Sequence, residues 1–144
     1  MSPRAKRILI GVGAVIGALV ALRLAAALIW PTINDVTTGA TLQYPDIQPQ
    51  RFAKPVEPVF AAALAAANDM GLEVVTQTPA RGEFRAVATT PVFRFKDDVS
   101  VAVVRQGDAT VVYVRSKSRI GKGDLGANAR RIRDFQKRLA AKLA

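Results

Sequence analysis

The residues of this chain best suited to chemistry lie between Arg115 and Arg131. They read Arg115, Ser116, Lys117, Ser118, Arg119, then Gly121-Lys122-Gly123, Asp124, Asn128 and Arg131. Alternate residues of a strand point to opposite faces, so Arg115, Lys117 and Arg119 project from one side and Ser116 and Ser118 from the other. Asp124 then opens a helix as its N-cap. Free amides at a helix start, glycines that admit close backbone approach, and nearby cations together suit an anion such as a phosphate or a lipid headgroup. The spacing is not that of a GxxxxGK[ST] nucleotide loop. A structural reading competes: a tight strand-to-helix turn in which Asp124 caps, Asn128 bonds the turn, and the arginines pair with Asp97 and Asp98. Those aspartates are also candidates for half of a cation site or for an acid–base pair. As adjacent strand residues they face opposite ways, which disfavours joint action on one atom.

Composition narrows the chemistry further. The 144 residues include no His and no Cys. That excludes Ser-His-Asp and Cys-His nucleophile systems, structural zinc, haem and iron–sulfur ligation. No metal and no cofactor is expected. The net charge of +10 sits at the two ends of the chain. From Arg115 onward ten Lys and Arg face only Asp124 and Asp134.

At the N-terminus, Arg4, Lys6 and Arg7 precede 15 uninterrupted apolar residues, Ile8–Leu22, and with Arg23 admitted the run reaches Trp30, 23 residues in all. About 20 helical residues span a hydrocarbon core. Positive charge before the run predicts a cytoplasmic N-terminus and an exported, periplasmic domain at a bacterial inner membrane. A signal peptide cleaved after Ala25-Ala26-Ala27 is the competing reading, with Arg23 awkwardly close to that site. Arg23 either snorkels to the interface or meets another membrane subunit. Gly13-x-x-x-Gly17 permits close helix packing.

The remaining elements must position the rim. Thr32–Pro55 reads as an extended connector packing on the domain. Val56–Met70 reads as a helix with Val56, Phe60, Ala63, Leu64 and Ala67 on one stripe and Gly71 as its stop. Strands are predicted at Leu72–Gln77, Glu83–Thr90, Val99–Arg105 and Ala109–Ser118, with Val92–Lys96 a bulged continuation or an edge. A last helix from about Asp124 places Leu125, Ala129, Ile132, Phe135 and Leu139 inward. The expected fold is α+β: a four-stranded antiparallel sheet with two helices on one face, after a single transmembrane helix. The expected division is a basic stub (1–7), an anchor (8–30), the connector (31–55) and the exported domain (56–144).

Several stretches carry a resemblance. Asn34-Asp35-Val36-Thr37-Thr38, Tyr44-Pro45-Asp46-Ile47 and Thr89-Thr90-Pro91 with Phe93, Phe95 and Asp97-Asp98-Val99 are three of them. The longest is Arg115-Ser116-x-Ser118-Arg119-x-Gly121-x-x-Asp124-x-Gly126-x-Asn128-x-x-Arg131-Ile132. Together they resemble the domain of unknown function 1499 family over roughly Ile33 to Leu139. The resemblance implies a bacterial or plastid protein, often behind a membrane anchor, whose connector belongs to the domain. It brings no activity and no catalytic residue.

The expected function is therefore a non-catalytic, membrane-anchored domain, an accessory subunit or partner-binding protein of an inner-membrane complex. The alternative is an anion, phosphate or lipid-headgroup domain, with or without catalysis, using the Arg/Lys-rich rim. The expected partners are the bilayer, another membrane protein and anionic lipid. The C-terminal helix is basic, but export and the shortage of stacking aromatics argue against nucleic acid.

Overall fold

Pro3 at the first turn and Ser2 as N-cap start α1, Pro3–Ile29, with the Ser2 hydroxyl accepting from the Ala5 amide at 3.2 Å. The computed structural model describes residues 2–144 and divides them after Thr32 into two units. The first is this single 27-residue helix, about 40 Å long at 1.5 Å per residue. It is long and apolar enough to cross a membrane, with a mean hydropathy of 2.4 over its most apolar window.

The second unit, Ile33–Ala144, is a two-layer α+β domain. Its elements are β1 (Asp35–Thr37), β2 (Gln50–Phe52), α2 (Val56–Asp69), β3 (Glu73–Thr78), β4 (Glu83–Thr89), β5 (Lys96–Gln106), β6 (Ala109–Ser118) and α3 (Ala127–Leu143). The sheet is wholly antiparallel in the order β1-β6-β5-β4-β3, with β2 also on β6. It has six strands where four are predicted. The extra two come from the connector. β1 pairs with Arg115–Lys117 and β2 with Thr110–Val112, so both lie along the free edge of β6. Three residues with no alternation carry no strand signal of their own; the unpaired amides of β6 make them strands.

Other boundaries move for physical reasons. Thr90–Phe95 is a closed turn, not a strand: the Thr90 amide donates to the Phe95 carbonyl at 2.9 Å, and the Phe95 amide to the Thr90 hydroxyl at 2.9 Å. β5 consequently begins at Lys96 and takes Asp97 and Asp98 into the ladder. α3 begins at Ala127, because Leu125 and Gly126 both adopt positive φ, and Leu125 is exposed instead of joining the apolar face.

The core lies between the sheet and the two helices. α2 packs against α3, β3 and β5, and α3 against α2, β6 and β1. From β4, β5 and β6 the inward positions Phe84, Val99, Val101, Val103, Val112 and Val114 are buried. Asn128, Ala129, Ile132, Phe135 and Leu139 face them from α3. On α2 the buried stripe is Val59, Phe60, Ala63, Ala66 and Ala67, so Val59 and Ala66 replace the predicted Val56 and Leu64, which are partly buried. The small alanines bring α2 close to the sheet, where Phe60 meets Phe84 edge-on at 6.0 Å.

Gly82 shows how tightly the β3–β4 turn sits on β5. Its φ is 67°, its carbonyl accepts from the Val103 amide at 2.8 Å, and a Cβ there would lie 2.1 Å from the Val103 carbonyl oxygen. Gly82→Ala combines that clash with left-handed strain and is expected to destabilise the domain by about 2–4 kcal/mol. The check is the urea midpoint of the detergent-solubilised protein; an unchanged midpoint contradicts this account of the turn.

Candidate functional site

The polar residues of β5, β6 and α3 meet at one end of the sheet. The register pairs Asp97 with Ser118 and Val99 with Ser116, placing Asp97, Ser116 and Ser118 on the inward face. α3 lays Asn128 and Arg131, three residues apart and so one above the other, over them. The Arg131 guanidinium donates to Asp97 Oδ2 at 2.7 Å, to Ser116 Oγ at 2.8 Å and to Asn128 Oδ1 at 2.7 Å. Ser116 Oγ donates to Asn128 Oδ1 at 2.6 Å. The Asn128 amide nitrogen donates to Ser118 Oγ at 2.9 Å and to the Asn34 carbonyl at 3.1 Å. Both amide atoms of Asn128 therefore reach their capacity, two acceptances and two donations. Asn128 is fully buried, and the Asp97 side chain is 3 % exposed.

The loop from Arg119 to Gly126 closes this cluster. Asp124 accepts from the Gly126 and Asn128 amides, both at 2.8 Å, so it caps α3 from just outside rather than as its first flanking residue. Gly121 has a φ of 82° and its carbonyl accepts from the Asn34 side-chain amide. The Asp124 amide donates to the Ile33 carbonyl at 3.1 Å and the Ser118 amide to the Asn34 carbonyl at 2.8 Å. The place where the folded unit begins is bonded directly to the strand-to-helix turn.

The other candidate cations point away. Arg115 grips Asp35 through two bonds, at 2.9 and 2.5 Å, on the uncovered face of the sheet. Arg119 grips Asp98, with its shortest contact at 2.7 Å. The guanidinium hydrogen bond holds each carboxyl below the usual aspartate range, and the carboxylate raises each arginine in turn. Lys122 is exposed on the loop. The nine residues singled out in the sequence thus divide. Ser116, Ser118, Asn128 and Arg131 converge with Asp97 inside, Gly121 and Asp124 shape the turn, and Arg115, Arg119 and Lys122 face solvent. Asp97 and Asp98 do diverge, one to each face.

Sequence reasoning passed over Asn34 and Asp35 as site residues, although they stand in the first stretch of the family resemblance. It also passed over an open groove of about 520 Å³ on the uncovered sheet face, lined by Thr76, Thr78, Arg85, Ser100, Tyr113 and Arg115 among others. In α1, Gly13 and Gly17 share one face while Arg23 stands on a neighbouring one. A Cβ at either glycine would meet nothing within 4 Å.

Two predictions test this description. Arg131→Ala strands a buried carboxylate and is expected to cost about 3–5 kcal/mol, whereas Asp97→Ala with Arg131→Ala costs less than the sum of the two single changes. Denaturation of the three variants measures the coupling, and simple additivity would refute the pairing. The second concerns pH. Asp35, Asp46, Asp69 and Asp98 all lie below the ordinary value of 3.8, each chiefly through a hydrogen bond from Arg115, Arg133, Lys142 and Arg119 respectively. A depressed carboxylate adds stability that is present above its unfolded value and lost as pH falls through the folded one. Stability is expected to hold at neutral pH and to decline on acidification from about 3.8 downward, with a shallower decline in Asp35→Asn. A pH–stability profile with the same slope in both proteins would contradict it.

No curated protein matches the chain in sequence. Among solved structures, CalU16 from Micromonospora echinospora is 13 % identical, with 74 % of this chain and 93 % of that one covered at a TM-score of 0.41. TTHA0849 from Thermus thermophilus is 15 % identical, with 76 % and 96 % covered at a TM-score of 0.40. Neither likeness bears on what the chain does. The family model described as a protein of unknown function, DUF1499, matches residues 27–139, most of the chain, and the protein belongs to that family.

Proposed function

We propose that this protein is a membrane-anchored, non-catalytic domain at the bacterial inner membrane, exported to the periplasmic side, where it serves a larger membrane complex as an accessory subunit. The observation that carries this reading is α1, a 27-residue helix with no buried residue preceding a separate folded unit. The three basic residues before the apolar run and none directly after it favour a cytoplasmic N-terminus. Arg23 and the Gly13–Gly17 face offer close packing to a neighbouring membrane helix. The domain itself supports a binding role: its inner polar cluster is engaged in bonds within the domain, with both amide atoms of Asn128 at capacity, and among the described residues no nucleophile is paired with a general base.

A second reading is an anion or lipid-headgroup site at the strand-to-helix rim. Lys122, with Arg94 and Lys96 on the adjacent hairpin, favours it, since among the described residues no carboxylate holds any of the three. A ligand using Arg115, Arg119 or Arg131 would first have to displace Asp35, Asp98 or Asp97.

Affinity purification of the full chain from native membranes in mild detergent discriminates the readings. The accessory-subunit reading expects a stoichiometric membrane partner, and Gly13→Leu with Gly17→Leu to lower its recovery about fivefold or more. Recovery of a free species of monomer mass would sink it.

A further inference from the structure

The β4–β5 hairpin tip is an exposed apolar feature in a domain that buries most of its large apolar side chains. Val92 and Phe93 are 78 % and 74 % exposed. Phe93 stacks on Phe95 with ring centroids 5.4 Å apart. The tip is held firmly by the Thr90–Phe95 bonds and by a further bond from the Arg94 amide to the Thr90 carbonyl at 3.1 Å. Arg94 accepts a φ of 57°, an uncommon choice for a residue other than glycine. The backbone is thus constrained so that aromatic rings stand in water. Such a patch marks an interaction surface.

Its neighbours share its character. The Arg119 amide donates to the Lys96 carbonyl at 3.2 Å, which extends the β5–β6 ladder one step and brings Ile120, also exposed, to the level of Phe95. Leu125 stands exposed on the same strand-to-helix loop. Arg94 and Lys96 stand on the same hairpin and Lys122 on the same loop, none with a carboxylate partner among the described residues; the Lys96 ammonium donates to the Thr89 hydroxyl at 2.7 Å. The carboxylates on the same strands and loop are engaged: Asp97 by Arg131, Asp98 by Arg119, Asp124 by two amides. Aromatic and aliphatic tips accompanied by such cations are the composition of a surface that enters the headgroup layer of an anionic membrane.

Covalent reach says which surface is available. Asn34, fixed to Ser118, lies at this same end of the sheet. It is five peptide steps from Ile29, the last residue of α1, so the two are joined by no more than about 18 Å of chain whatever their orientation. Strands lie about 4.8 Å apart, so the tip between β4 and β5 is only about 10–15 Å across the sheet from β1. The opposite hairpin, at Gly107 and Asp108, is a full strand length further away.

We propose that Val92, Phe93, Phe95 and Ile120, with Arg94, Lys96 and Lys122, form a second membrane contact that inserts into the anionic headgroup layer of the bilayer carrying α1. This rests on reading α1 as a bilayer anchor and adds a site that fixes the domain's attitude on the membrane. The absence of native cysteine provides the test. Full-length single-cysteine variants Val92→Cys, Asp108→Cys and Val15→Cys are labelled with an environment-sensitive fluorophore. They are reconstituted in vesicles of phosphatidylglycerol and phosphatidylcholine carrying a nitroxide lipid, headgroup-labelled for the probes at 92 and 108 and acyl-chain-labelled for the probe at 15. The expected result is a blue-shifted Val92 probe quenched at least about twofold more than the Asp108 probe. Phe93→Ser with Phe95→Ser in the Val92→Cys chain, or Arg94, Lys96 and Lys122 all changed to Gln, should abolish most of that difference. Equal, water-like signals at 92 and 108 with a lipid-quenched Val15 probe would overturn the second contact alone. An unquenched Val15 probe would overturn the anchor reading itself. Protection of the Val92 probe in native membranes but not in these vesicles would also overturn the proposal, assigning the tip to a protein partner.

Discussion

A carboxylate and a guanidinium taken out of water need further hydrogen bonds besides each other, and Arg131 on Asp97 gains two, to Ser116 and Asn128. The rest of the domain depends on this arrangement. It requires β5 and β6 to pair in the one register that sets Asp97 beside Ser118, since a one-residue slip would turn Asp97 outward and send Asp98 into the core. It also fixes the rotation of α3 about its axis, because Asn128 and Arg131 must face the same strands as Ile132 and Phe135. An apolar cluster of similar volume would pack without these directional bonds, each of which is lost when the register or the rotation changes.

Charge in the folded unit follows the same logic. The strongly basic C-terminal third finds partners elsewhere in the chain: Arg115 with Asp35, Arg119 with Asp98, Arg133 with Asp46, Lys142 with Asp69. These pairs are largely exposed and individually contribute little to stability. Their consequence is for function. Several cations that look in the sequence like a free basic surface are paired with carboxylates, Arg115, Arg119 and Arg133 among them.

The sequence carried the long periodic elements well: the apolar N-terminal helix, α2, β4, β6 and the inward stripe of α3 follow from spacing alone. It carried β1 and β2 poorly, since each is three residues long and owes its conformation to an edge formed far later in the chain. Val92–Lys96 reads as extended because its residues favour strands, yet the Thr90 hydroxyl and Pro91 fold it into a turn. Within the site, period-two alternation was enough to separate Ser116 and Ser118 from Arg115 and Arg119, and Asp97 from Asp98. It could not show that Asn34 joins the cluster or that Asp35 holds Arg115 on the opposite face, because those contacts join residues 94 and 80 positions apart.

That distant contact explains why the cluster is polar where hydrophobic packing would suffice for folding. Three residues of edge strand are a weak hold for the first segment of a domain. A buried leucine in place of Asn128 would fill space but could not bond a backbone carbonyl. The asparagine amide bonds the Asn34 carbonyl on one side while the serines and Arg131 hold its other edge. Asp124 adds the Ile33 carbonyl and Gly121 the Asn34 side chain. Ile33 and Asn34 are thus tied to β6, to α3 and to the loop between them, so β1 does not hold the start of the folded unit alone.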